Sequence, residues 1–231
     1  MNARCLIFAL IAAFPLFANG QQKGKAQYNI GMKAGFQAVT YNDPEFDIDG
    51  YRFNTNNIQS NKIGYALSVF ARVTKNKCFL QTEGTFGITN HNFDFYDEQD
   101  NIDGNFVPNN TVYDLRTYCL QVPILFGYNV VQQGRYGLSL FTGPRTKFVF
   151  TSLSQQQFRH FKYENLEEVL QKKVYFWEIG LGIKISRVFL DITYDAGLNE
   201  ATSHIISHED GKTFSSSRRD NILSFSVGFI F

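Results

Sequence analysis

Nine charged side chains fall at positions that an extended backbone would turn to one side. Lys33, Arg72, Arg145, Lys147 and Lys184 stand against Glu83, Glu178, Asp191 and Asp195, each within a stretch where apolar residues occupy the alternate positions. In strands of period two, such residues share one face. If that face is enclosed, five bases and four acids can neutralise one another. The expected role is a structural network, because a buried charge without a partner costs several kcal/mol. A charged filter in an open pore is the competing reading, and it needs more width than a small barrel usually leaves.

Other residues invite chemistry and are read more plainly. His204 and His208, in "SHIISHED", have the spacing that would bring two imidazoles together on a helix, beside Glu209 and Asp210. A zinc site would need that helix; solvated loop residues are the expectation. The acidic stretches "NDPEFDIDG" and "YDEQDNIDG" offer Asp47, Asp49, Asp97 and Asp103 to calcium, but neither has the spacing or closing Glu of a calcium loop. Asp-Gly turns explain them better. His91 and His160 fall near one rim, where a barrel enzyme would place its groups, yet no nucleophile, base and acid stand together at positions the pattern fixes. The chain is therefore read as non-enzymatic, with no cofactor and no metal.

The elements that must position these residues are eight strands. Strict alternation runs through 28–38, 63–73, 80–88 and 118–128, less cleanly through "YGLSLFTGPRTKFVF", and again through "VYFWEIGLGIKI", "VFLDITYDAGL" and "NILSFSVGFIF". About eleven residues is the length a tilted strand needs to cross a bilayer. Connections alternate between short ("TKNK", "VQQGR", "SR") and long, polar ones spanning roughly 42–61, 96–110, 151–171 and 199–220. Short turns at one end and long loops at the other are the arrangement of an outer-membrane barrel, with the long loops outside the cell. Within the third long loop, "YENLEEVLQKK" suggests one or two helical turns with Leu166, Val169 and Leu170 on one side, as a docking surface or a cap over the barrel mouth.

The chain's first twenty residues, "MNARCLIFALIAAFPLFANG", carry only Arg4 as a charge, an apolar stretch and a small-x-small site. That is the layout of a secretory signal peptide, so 1–20 are expected to be removed and 21–231 to form one domain. Without Arg4 the 22 basic residues become 21, equal to the 21 acidic ones, which argues against a nucleic-acid partner. The 24 Phe, 12 Tyr and 18 Gly favour pleated structure. No stretch after the leader is apolar for long enough to be a spanning helix, so a membrane reading requires a barrel. A soluble lipocalin-like barrel is the structural rival. The nearly charge-free apolar face, with Tyr28, Tyr128, Tyr175, Trp177 and Phe231 near strand ends as in an aromatic girdle, decides for an eight-stranded antiparallel up-and-down transmembrane β-barrel in the bacterial outer membrane.

The segments "TYCLQVPILFGY", "LSLFTGP", "WEIGLGIKI" into "VFLDITYDAGL", and "LSFSVGFIF" resemble the PorT-like outer-membrane β-barrel proteins. Gln121 and Gly127 stand where that family often shows an acidic and a basic residue. The resemblance implies an integral outer-membrane protein, with some members tied to type IX protein secretion, and so a structural or interaction component of secretion or surface assembly. A narrow channel or small-ligand binder is the alternative, and a rim-sited enzyme a more distant one. Expected partners are outer-membrane lipid, other envelope or secretion-machine proteins, and the barrel-assembly machinery, which would read Phe229 and Phe231 of the last strand as a signal by strand addition. Cys78 and Cys119 are expected to be free thiols. A hairpin closing near Asp103 sets Cys119 opposite Gly87, nine residues from Cys78, and the alternation turns one outward and the other inward.

Overall fold

The computed structural model describes residues 26–48, 51–53, 63–97, 111–163 and 165–231. The leader at 1–20, and Asp49 and Asp103 of the acidic stretches, lie outside the described residues. The strands are β1 (Gln27–Asp47), β2 (Tyr51–Phe53), β3 (Gly64–Lys75), β4 (Cys78–Asp97), β5 (Thr111–Gln133), β6 (Tyr136–Val149), β7 (Gln155–Arg159), β8 (Leu166–Leu170), β9 (Lys173–Ile185), β10 (Val188–Gly197), β11 (Thr202–Ser207) and β12 (Thr213–Ile230).

Eight of these close into an antiparallel ring in the order β1-β3-β4-β5-β6-β9-β10-β12, with β12 returning to β1. The three short connections are two-residue hairpins, and Asn76, Gly134 and Ser186 take the left-handed backbone at φ 56°, 56° and 61°. Gly87 pairs with Cys119 and Cys78 with Tyr128, so the two cysteines are far apart along the ladder and both are free.

Around this ring the outward positions are apolar and exposed, among them Ile30, Leu67, Phe86, Ile124, Leu140, Ile179, Ile192 and Phe225. The inward positions are mostly polar or glycine, with Cys119, Pro123 and Leu125 of β5 among the exceptions. Such a surface is stable only in lipid, and it places the membrane on the eight-stranded part of the wall. At the end of the short turns the inward face changes to phenylalanine. Phe70, Phe79, Phe141 and Phe189 each lie directly across the ladder from a glycine: Gly31, Gly127, Gly180 and Gly228. A Cβ on Gly127 would stand 2.0 Å from the Phe79 ring, and on Gly180 2.2 Å from Phe141. Small and large residues are thus paired so that four aromatic rings fit inside a narrow wall.

At the other end the barrel continues above the membrane, in sequence that reads as loops. Four long strands, β1, β4, β5 and β12, run on upward, while β3, β6, β9 and β10 stop and are replaced in the ring by β2, β7, β8 and β11. The stretches 42–61, 96–110, 151–171 and 199–220 are therefore not wholly loop, as the polar composition suggested. The expected helix in "YENLEEVLQKK" is absent as well. Residues 166–170 form β8, paired with β11, with Leu166, Glu168 and Leu170 buried. The strand period of two is imposed by the neighbouring strand, which propensity over five residues cannot resist.

The outer ring closes by two unusual joints. A single bridge, Ile48 to Tyr51, joins β1 to β2. Between β7 and β8 there is no ladder. There the Gln156 side chain acts as a peptide unit, its Nε2 donating to the Glu168 carbonyl at 2.8 Å and its Oε1 accepting from the Glu168 N–H at 2.7 Å.

Candidate functional site

The interior is a column of side chains in layers, positioned by the inward parity of each strand. In the membrane layer, the Lys33 ammonium donates to Glu83 Oε1 at 2.8 Å and Asp191 Oδ2 at 3.3 Å. Beside it Arg145 spans two carboxylates, with Nη2 2.7 Å from Glu178 Oε2 and Nη1 2.8 Å from Asp195 Oδ2. Its Nη1 also donates to Gln121 Oε1, and Gln121 in turn meets Gln37. Arg72 donates to Gln81, which donates to Glu83, and its guanidinium lies 4.3 Å from the centre of the Phe79 ring. One oxygen each of Glu83, Glu178, Asp191 and Asp195 is buried without a protein partner. A cavity of about 20 Å³ opens beside Lys33, Glu83, Arg145 and Ser224, a space suited to water rather than to a solute.

Seven of the nine charges named from the sequence are thus brought together. Two are not. Lys184 is exposed at the short-turn end. Lys147 is buried one layer higher, beside a cavity of about 10 Å³ shared with His91, Arg218 and Asp220.

That higher layer lies above the membrane-spanning part and holds groups that sequence reading left in loops. Arg218 Nε donates to Asp220 Oδ1 at 2.9 Å, and its Nη1 lies 3.5 Å from Glu168 Oε2. The Tyr113 hydroxyl donates to the same Glu168 oxygen at 2.6 Å. His91 Nδ1 meets the Tyr41 hydroxyl at 2.8 Å. Burial, with Arg218 adding to it, depresses His91 to about 3, so the imidazole is neutral. Burial also raises Tyr41, Tyr113 and Glu168, in each case prevailing over the opposing pull of Arg218. For Asp220 the balance reverses, and Arg218 holds the carboxyl below its ordinary range despite burial.

Above this layer the ring is filled by Phe46, Ile48, Tyr51, Phe93, Phe95, Tyr113, Leu115, Leu166, Leu170, Ile205 and Phe214. The Tyr113 and Phe158 rings stack at 4.0 Å. A signal for these groups exists in the sequence. Phe214, Ser216, Arg218, Asp220 and Ile222 continue the inward parity of Ser224 and Ser226, so the period of two does not end where the apolar residues do.

The other candidates are spread out. His208 pairs with Glu167 at 2.8 Å and His204 meets Ser203 at 3.0 Å, both on extended or turning backbone rather than a helix. Asp47 and Asp97 end β1 and β4. His160 sits in the connection after β7, its carbonyl accepting from Thr111. Among the described residues, no group of three or more His, Cys, Asp or Glu is placed to hold a metal ion. Phe229 and Phe231 both face outward, with ring centroids 5.7 Å apart.

Comparison with known proteins agrees with this architecture. The family described as "Outer membrane protein beta-barrel domain" matches residues 17–203. No curated protein sequence matches. Among solved structures, the outer membrane protein OprG from Pseudomonas aeruginosa is similar at a TM-score of 0.54 and 10% identity, over 90% of this chain and 98% of that one. Ail, the attachment invasion locus protein of Yersinia pestis, gives 0.42 at 12% identity, over 89% and 99%. The outer membrane protease OmpT from Escherichia coli gives 0.45 at 7%, over 89% and 96%. At these identities the likeness to OprG speaks for the fold alone.

Proposed function

This chain belongs to the outer membrane protein beta-barrel domain family, and from that premise we propose that it is a closed, non-conducting barrel of the bacterial outer membrane. Its working part is the outer ring, which acts as a structural or interaction platform. The observation that carries this reading is the filled interior. Paired charges in the membrane layer lie between four phenylalanines at one end and an aromatic core at the other, with cavities of about 20 and 10 Å³ among the described residues. A hydrated ion needs a continuous path, and salt bridges with 2.7–2.8 Å contacts lie across it.

The narrower assignment, a PorT-like component serving type IX secretion or surface assembly after export behind a signal peptide, is supported by the strand segments quoted above. Partners in the envelope would then meet the outer ring, and the barrel-assembly machinery the strand that carries Phe229 and Phe231. Non-catalytic action follows from the same reading. Purified barrel in planar bilayers should give no discrete conductance steps, and recovery from detergent-solubilised membranes should bring down an envelope protein that is lost when the outer strands are altered. Stable single-channel openings would overturn the closed-barrel reading.

A further inference from the structure

The two ends of the barrel differ in charge in a way the proposed platform does not use. The short-turn end, which faces the periplasm, carries Lys75, Lys77, Arg135, Lys184 and Arg187, all exposed. No Asp or Glu occurs among the described residues of that end, 26–29, 74–78, 129–137, 184–188 and 230–231. None of the five cations is ion-paired among the described residues. The opposite end is mixed, with Arg116, Lys172, Lys173 and Arg219 set among Asp94, Asp114, Glu167, Glu200 and Asp210.

One of these cations also stands at a defined depth. Tyr28, Tyr128 and Tyr136 are 77%, 47% and 64% exposed on the outer wall where the apolar band ends, the level at which tyrosines sit among headgroups. The Lys77 ammonium lies 5.9 Å from the centre of the Tyr128 ring, so its charge is held at that same level. Lys and Arg are long enough to lay their stems along the apolar wall and present their charge to phosphates.

We propose that the periplasmic rim is a lipid-recognition ring that gathers phospholipids of net negative headgroup charge around the barrel in the inner leaflet. Charge complementarity selects this occupant, since a rim of exposed cations with no Asp or Glu among its described residues meets lipid phosphates around the barrel. Selection comes from the net charge, because zwitterionic headgroups offer the same phosphate with a compensating cation. The inference rests on the barrel's place in the outer membrane and not on whether the lumen conducts, so conductance would leave it standing.

The test uses the whole barrel in phosphatidylcholine vesicles, with spin-labelled phosphatidylglycerol or phosphatidylcholine as the probe. Electron paramagnetic resonance then reads the motionally restricted fraction of each. The anionic probe should associate about fivefold more strongly, the effect of one effective basic contact. Lys75→Gln, Lys77→Gln, Arg135→Gln and Arg187→Gln combined should bring the ratio near parity, whereas Arg116→Gln with Lys172→Gln and Lys173→Gln should leave it intact. Parity in the unaltered barrel, persistence of selectivity in the rim variant, or its loss in the outer variant would each overturn the proposal. Should the rim variant fail to fold, salt decides. Selectivity of the unaltered barrel should fall severalfold toward about 1 M salt, where the screening length is near 3 Å, and indifference to salt would count against the ring.

Discussion

The membrane ring and the outer ring are built on the same four long strands, yet they are filled in opposite ways. Along β4, the inward residues Gln81, Glu83 and Thr85 give way to Phe93 and Phe95, while the outward ones change from Leu80, Phe86 and Ile88 to Asn90, Asn92 and Asp94. On β5 the outward side passes from Asp114 and Arg116 to Tyr118, Leu120 and Ile124, and the inward side from Tyr113 and Leu115 to Thr117 and Gln121. Across these stretches of β4 and β5 the backbone parity is unbroken; hydropathy inverts against it. The solvent on the outside sets the sign. Lipid demands apolar residues outward and leaves polar ones to satisfy one another within, whereas water reverses both preferences. The crossing between Ile88 and Asn90, and between Arg116 and Tyr118, therefore marks the outer membrane surface.

The contrast can be broken most forcefully at the centre of each filling. Arg145→Ala would leave Glu178 and Asp195 buried without their shared cation, and the membrane ring should lose about 3–5 kcal/mol. Phe93→Ala removes a fully buried ring from the outer core, with a comparable loss of about 3–5 kcal/mol. The consequences should differ in place. The first should abolish heat-modifiable migration on gels, while the second should open β8 and β11 to protease and leave the membrane ring folded. Equal effects on both readouts would show the two rings to be one cooperative unit.

Acid should act on the outer ring through His91. Its imidazole, ordinarily near 6.5, is held at about 3 in the folded ring, so the unfolded ring binds the proton first. Stability from His91 is complete above 6.5 and declines as pH falls toward 3, by up to about 1.4 kcal/mol per unit. Asp220, lowered from 3.8 by Arg218, adds loss in the same direction at lower pH. Glu168, raised from 4.5, works oppositely: its contribution is full below 4.5 and is lost as pH rises through its folded value. Protection of β8 and β11 against hydrogen exchange, corrected for the intrinsic rate at each pH, should fall between pH 6.5 and 4 in the unaltered barrel and less so in His91→Gln. An identical acid response in the two would remove His91 from the account.

The gentlest probe is the seam between β7 and β8. Gln156→Ala removes both hydrogen bonds to the Glu168 backbone and a longer one from the Tyr113 hydroxyl at 3.3 Å, and baring the peptide groups of Glu168 should cost about 1–3 kcal/mol. The loss should appear as faster exchange at β7 and β8 alone; a change spread over β9 and β10 would place the seam in the membrane ring as well.

Much of the membrane ring was legible because lipid imposes one simple rule on it. Alternation over eleven residues, short turns between pairs of strands and a charge-free outer face suffice to set the strand order, the parity of Glu83, Glu178, Asp191 and Asp195, and the opposition of Gly87 to Cys119. The outer ring obeys the same period with the reverse hydropathy, so Arg218 and Asp220 looked like loop residues and "LEEVL" like part of a helix. A polar outward side does not by itself tell a loop from a strand that meets water.

The sequence by itself determined which residues share a face, since that follows from the period of two, and which part of the chain must meet lipid, since no other solvent tolerates that surface. Only the tertiary structure decided which charges pair. Lys33 with Asp191, Arg145 with Glu178 and Asp195, and Arg218 with Glu168 join residues as many as 158 positions apart. Their meeting depends on ring closure and strand stagger, which fix height within the barrel, and parity alone says nothing about height.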